Sequence, residues 1–135
     1  MMRRYAMLSA AMIVVQPAIA QTVGVMGPAE TITAVAAAPK GEVQGVFEFT
    51  VASTGAGGFS AYLNSAENYR DPGNLTIELS TAARNGLKAK LGGHAEDMLK
   101  GKRVRVKGIA RRVPVGSHFQ TRIAVDTADQ LEILG

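Results

Sequence analysis

The stretch GEVQGVFEFTV, Gly41 to Val51, decides the fold. Val43, Phe47, Phe49 and Val51 share one parity, while Glu42, Gln44, Glu48 and Thr50 share the other. A side-chain period of two predicts a long strand with one buried face and one wet face. Gly45 falls on the apolar parity, where a missing side chain lets a strand coil sharply.

Reading outward from this strand, STGAGG (Ser53–Gly58) predicts a hairpin loop whose glycines can take positive φ. A second strand follows, with Phe59, Ala61 and Leu63 inward and Ser60, Tyr62 and Asn64 outward. Asp71-Pro72-Gly73 supplies turn chemistry after it. The third strand, NLTIELS, alternates Leu75, Ile77 and Leu79 against Asn74, Thr76, Glu78 and Ser80. The period then lengthens. Ala83, Leu87 and Leu91 are four apart, Ser80 or Thr81 can cap the start, and Gly92-Gly93 can end a helix. The run HAEDML adds one further turn.

The fourth strand lies in LKGKRVRVKGIARRVP, Leu99 to Pro114, which holds seven basic residues and no acidic one. Val104, Val106 and Ala110 share one parity, and Arg103, Arg105, Lys107 and Arg111 the other. Gly108 predicts a bend or bulge, and VPVGS a turn. The fifth strand runs from His118, with Phe119, Thr121, Ile123 and Val125 on one side and Gln120, Arg122 and Asp126 on the other. A short strand, QLEIL, closes the sequence.

Three strands, one helical segment and two strands, with a long coiled first strand, is the element order of an all-β, five-stranded OB-fold barrel. In such a barrel the helix plugs one end, here with Leu87, Leu91 and Leu99. An SH3-like barrel and an α+β Greek key are the alternatives, because pairing is not encoded in periodicity.

The N-terminal residues carry an address. Arg3 and Arg4 precede an apolar run from Tyr5 to Val15, followed by Pro17 and Ala18-Ile19-Ala20. This pattern predicts a Sec-type signal peptide over residues 1–20, cut after Ala20. The run is far short of the roughly 20 residues a membrane-spanning helix needs. The expected product is periplasmic or secreted and has no membrane anchor. It comprises an extended lead-in, residues 21–40 with a short strand near Thr31 to Val35, and one OB-fold domain, residues 41–135. Without cysteine the domain has no disulfide and must rest on its core alone. Loss of Arg3 and Arg4 takes the basic count from 15 to 13 against 11 acids, a net charge of +2. Seven of those basic residues lie between Lys100 and Arg112, so the positive field is local.

Four segments carry a resemblance: NYRD (Asn68–Asp71), NLTI (Asn74–Ile77), GKRVRVKG (Gly101–Gly108) and RIAVD (Arg122–Asp126). Together they resemble small bacterial OB-fold domains of the tRNA-anti-like kind, which also occur beside exported nucleases. More distantly, the chain is similar to exported bacterial OB-fold stress proteins. The resemblance spans Gly41 to Leu134 and consists mostly of strand and turn grammar, so it speaks to fold before function. For such families it implies nucleic-acid, oligosaccharide or small-cation binding.

Two surfaces are candidates for a ligand. The first is the basic strand, where Arg103, Arg105, Lys107, Arg111 and Arg112 could contact phosphates in a salt-sensitive way. The bland alternative is a solvated strand face whose charges discourage edge pairing, and the sequence favours it. The second is the face on which OB-folds bind, strands two and three. There Ser60, Tyr62, Asn64, Thr76 and Glu78 would be flanked by Gly55–Gly58 and by Arg111–His118, His118 included. Single-strand binders add aromatic platforms to charge, and Tyr62 is the one expected here.

Catalysis and metal binding have little support. His94 and His118 lack partners at metal-ligand spacing, and the pairs Glu67/Asp71 and Asp126/Asp129 suit turns better than calcium. No cofactor and no metal site is expected. The expected function is an exported, non-enzymatic, monomeric OB-fold binding module whose ligand is anionic or carbohydrate-like, single-stranded nucleic acid or oligosaccharide. The alternatives are an accessory protein docking on an envelope protein through the first-strand edge or the lead-in, and a metal-dependent nuclease built on Arg70 and Asp71.

Overall fold

The computed structural model describes residues 24–135. The expected signal peptide and the expected cut after Ala20 lie outside the described residues. The chain runs β1 (Val25–Met26), α1 (Pro28–Ala37), β2 (Glu42–Thr50), β3 (Ser53–Gly57), β4 (Ser60–Asn64) and β5 (Leu75–Leu79). It continues through α2 (Thr81–Leu91), α3 (Ala95–Met98), β6 (Arg103–Val115), β7 (His118–Val125), a 3₁₀ turn (Ala128–Gln130) and β8 (Leu131–Ile133). The fold is mostly β. Eight strands form one mixed sheet in the order β1-β2-β6-β7-β5-β4-β3, with β8 also on β6. The β1–β2 and β5–β7 pairs are parallel, and the others antiparallel.

The parity of GEVQGVFEFTV holds: Phe47, Phe49 and Val51 are buried while Glu42, Gln44 and Thr50 are exposed. Val51 and Ala52 link β2 to β3 and change neighbours as they do so. Val51 N–H donates to Lys102 O at 2.9 Å, on the β6 side, and Ala52 N–H donates to Asn64 O at 2.8 Å, on the β4 side. One cluster unites Phe47, Leu75, Val104 and Val106 with Ile77, Leu87, Leu99 and Ile123. At roughly 1.5–3 kcal/mol for each large buried side chain, this interior is the main stabilising term.

α2 forms as its spacing predicts. Ser80 Oγ accepts from Ala83 N–H at 3.1 Å, and Gly92, at φ 78, closes the C-terminus. Ala83 and Leu87 are buried beneath it, and Leu91 packs at the margin.

Several expectations are corrected. The lead-in is not extended over Thr31–Val35 but helical over Pro28–Ala37. Pro28 presets the first turn, Glu30 Oε1 accepts from Gly27 N–H at 3.0 Å, and Thr31 and Val35, one turn apart, are buried. Tertiary burial there overrides the β preference of Thr and Val. Ser53–Gly57 is a strand rather than a loop, and the turn is confined to Gly58 and Phe59, with Gly58 at φ 61. Phe59, at that tip, is 84% exposed instead of inward.

Gly108 makes no bulge. The β2–β6 register runs unbroken through Gly45 opposite Gly108. A Cβ on Gly108 would lie 3.1 Å from Ile123 Cγ2, so the missing side chain permits close packing. VPVGS does not turn as a unit: β6 continues to Val115, and Gly116, at φ 62, begins the reversal. Phe119 keeps its inward parity, but the β6–β7 hairpin outruns the core there and leaves it 60% exposed.

Candidate functional site

A cleft of about 400 Å³ lies over β4, β5 and β7, between the β3–β4 and β6–β7 hairpins. Thr54, Gly55 and Ala56 border it from one hairpin and Val115 from the other. Tyr62, Tyr69, Gln120 and Arg122 stand in its walls. Strand pairing explains the grouping. Tyr62 is opposite Glu78 across β4–β5, and Thr76 is opposite Arg122 across β5–β7, so outward residues of three strands share one face.

The Arg122 guanidinium carbon sits 5.2 Å from the centre of the Tyr62 ring. Its Nε and Nη2 donate to Gln120 Oε1 at 3.0 and 2.8 Å, and Nη1 donates to Glu78 Oε1 at 3.5 Å. Ser60 Oγ holds the other carboxylate oxygen of Glu78 at 3.4 Å. The guanidinium is thus steered by Gln120 and only loosely neutralised by Glu78. A cation over an aromatic ring, at the wall of a concavity, suits a ligand that carries both negative charge and flat rings.

Of the residues expected on this face, Tyr62 lines the wall, while Asn64 and Thr76 form a buried floor. Thr76 Oγ1 donates to Asn64 Oδ1 at 2.7 Å and accepts from Asn74 Nδ2 at 2.8 Å, and Asn64 Nδ2 donates to Ser53 Oγ at 3.3 Å. Asn74 also donates to Tyr69 O and accepts from Ala66 N–H, which fastens the Ser65–Gly73 loop beside the cleft. The Asn64 and Thr76 side chains are thus engaged with each other and with Ser53 and Asn74. Both lie on the predicted parity, but they are buried rather than free on the surface.

The basic strand goes elsewhere. Arg103 and Arg105 both donate to Glu48, at 3.1 and 2.9 Å, and Arg111 donates to Glu42 at 3.2 Å. Arg105 and Glu48, and Arg111 and Glu42, stand directly opposite in the β2–β6 ladder, while Arg103, opposite Thr50, reaches Glu48 diagonally. Glu48 is held below the usual carboxylate range, first by the hydrogen bond from Arg105, against the opposing effect of burial, with Arg103 adding to it. Lys107 stands opposite Val46, and both border a groove of about 760 Å³ with Arg105, Lys90 and β8. Arg112 lies over Phe119, and His118 is exposed near Tyr69 and Arg70. Of the strand-four candidates, none lines the cleft with Tyr62.

Arg122, Gln120 and Tyr69 were not singled out by the sequence reading. Gln120 and Arg122 share an outward parity, but only the parallel β5–β7 register puts them beside Tyr62. Tyr69 sits in the NYRD turn and is brought in by the Asn74 hydrogen bonds. Asp71 Oδ1 accepts from Gly73 N–H at 2.8 Å, and Arg70 lies over Tyr69. Among the described residues no three His, Cys, Asp or Glu side chains converge as a metal-holding group, and no helix is long and apolar enough to cross a membrane.

No protein-family model matches the chain, and no curated protein matches it. Among solved structures, a protein described as an aspartyl-tRNA synthetase from Leishmania major Friedlin superposes with a TM-score of 0.46 at 12% identity. The superposition covers 82% of this chain and 20% of that one, so the chain spans about a fifth of that protein's length.

Proposed function

We propose that this chain is an exported, non-enzymatic OB-fold module that binds single-stranded nucleic acid in the Tyr62–Arg122 cleft. The barrel is inferred from the change of partner at Val51–Ala52. β2 and β3 stand far apart along the sheet path yet are joined in the chain by only Val51 and Ala52, so taking the two together as one bent segment, the neighbours β2/β3-β4-β5-β7-β6 return to their start. This order supports reading the sheet as a five-stranded OB barrel, with α2 inserted between its third and fourth strands. The two hairpins beside the cleft are then the loops that flank OB ligands.

The observation that carries the binding reading is Arg122 over Tyr62, 5.2 Å from the ring centre, inside a concavity that Tyr69 also borders. Stacking surfaces tolerate any base, and a guanidinium supplies the charge and hydrogen bonds for phosphate. Binding is favoured over metal-dependent cleavage by the use of Asp71 in its own turn with Gly73 and of Arg70 over Tyr69. Docking through the first-strand edge is disfavoured because β1 pairs with β2 at Val46 and Phe47.

The test is fluorescence anisotropy with a labelled oligothymidylate as salt is raised. Affinity should fall log-linearly with salt and should collapse in Arg122→Ala; absence of binding at low salt overturns the proposal. Export rests on the Arg3–Ala20 pattern and is tested separately: N-terminal sequencing of protein recovered outside the cytoplasm should begin at Gln21.

A further inference from the structure

Three arginines of the described chain lie over aromatic rings. Arg122 is 5.2 Å from the centre of Tyr62, Arg70 is 5.5 Å from that of Tyr69, and Arg112 is 4.2 Å from that of Phe119. The pairs are linked along the surface. Tyr69, Val115 and Gln120 border both the Tyr62–Arg122 cleft and a small depression at the end of the β6–β7 hairpin. Phe119 borders both that depression and a groove of about 300 Å³ reaching α1 at Ile32 and Ala36. A continuous surface therefore leads from Tyr62, past Tyr69 and His118, to Phe119.

This surface turns round the edge of β7. β5 pairs only with Thr121–Val125, so His118–Gln120 have no strand on that side. Phe119 is 60% exposed and Tyr69 46% exposed, although both rings could have contributed to stability by burial. Two carboxylates oppose the three arginines: Glu78, 3.5 Å from Arg122, and Asp71, whose Oδ1 accepts from Gly73 N–H. The path keeps an excess of positive charge, with a ring beside each cation.

Resting on the reading of the cleft as a single-strand site, we propose that the bound strand does not end there. It continues round the β7 edge and stacks a further base on Phe119, with Arg112 on the adjoining phosphate. Phe119 and Arg112 form a second platform, on the opposite parity of β7 from Arg122, and the length of strand bound is set by both platforms together. Phosphate charge alone would not select the ring at Phe119; bases would.

The experiment compares oligothymidylates of about four and about twelve nucleotides, within the range one OB-fold covers, by anisotropy at low salt. In the wild-type protein the longer strand should bind at least about tenfold more tightly, as one added stacked base provides. Phe119→Ala should erase that gain while leaving the shorter strand unaffected, and Phe119→Trp should restore it. Tyr62→Ala should weaken both. The extension is overturned if Phe119→Ala binds the longer strand like wild type, if it weakens both lengths equally, or if inorganic polyphosphate competes with the longer strand as well as with the shorter one. Failure of wild type to bind either strand overturns the cleft reading itself, a distinct result. Phe119 is mostly exposed, so its variants should fold, and circular dichroism checks this.

Discussion

Arg105 Nε donates to Glu48 at 2.9 Å across the β2–β6 ladder, and Arg103 donates to the other oxygen of the same carboxylate at 3.1 Å. Two guanidinium groups on one carboxylate lower its pKa from the ordinary 4.5. A group with a depressed folded pKa stabilises the fold fully above its unfolded value and loses that contribution as pH falls through the folded one. The Glu48 contribution should therefore be complete above about pH 4.5 and drain below it. Urea unfolding of wild type and Glu48→Gln should show a stability gap at neutral pH that closes in acid. A gap independent of pH would remove Glu48 from the ionic account.

The same geometry separates the basic strand from the cleft. Arg103 and Arg111 pair with glutamates away from the cleft, whereas Arg122 lies over Tyr62 in the cleft, with Glu78 more distant at 3.5 Å. Exposed ion pairs of this kind are worth roughly 0–1 kcal/mol, so Arg103→Ala should fold normally and change oligonucleotide affinity less than about twofold. Tyr62→Ala should cost about tenfold or more, the range of one stacked base. A larger loss in Arg103→Ala than in Tyr62→Ala, measured at one salt concentration, would return the ligand to strand four.

The contrast also shows how far the sequence was legible. Parity in Gly41–Val51 and Arg103–Ala110, the four-residue spacing of Ala83, Leu87 and Leu91, and the Ser80 and Gly92 caps follow from local chemistry, and the structure reproduces them. Pairing partners are non-local. Glu48 and Arg105 are each recognisable as outward-facing, but that they face each other depends on a register spanning 57 residues. For the same reason the sequence marks Arg122 only as an outward strand residue, while the denser charge of strand four is what points to a ligand. α1 was missed because Thr31 and Val35 fit a strand as well as a helix until burial on one face selects the helix.

Thr76 sits at the centre of the polar floor, fully buried, donating to Asn64 and accepting from Asn74. Thr76→Val keeps the shape and removes the hydroxyl, leaving the Asn64 carbonyl oxygen without its donor. Losing a partner in this way costs about 1–3 kcal/mol. Denaturant midpoints should fall accordingly. Affinity of the folded variant should stay near wild type, since the hydroxyl is directed to neighbours. A selective loss of affinity without loss of stability would make Thr76 a ligand contact.

Gly86 lies in the middle of α2, where glycine costs about 1 kcal/mol relative to alanine. Sequence reasoning alone would therefore nominate Gly86→Ala as stabilising. The structure reverses the sign. A Cβ at Gly86 would stand 2.8 Å from the Cβ of Ala128 in the 3₁₀ turn, with the Ala128 backbone directly behind it. Neither group is the free end of a flexible side chain, so helix and turn must separate, and overpacking of this kind costs roughly 1–3 kcal/mol. The net effect of Gly86→Ala should be a loss of stability in thermal or urea unfolding. The double variant Gly86→Ala/Ala128→Gly, which moves the methyl from one side of the contact to the other, should recover much of that loss. If the single variant is more stable than wild type, the contact between α2 and the turn preceding β8 is looser than the geometry states.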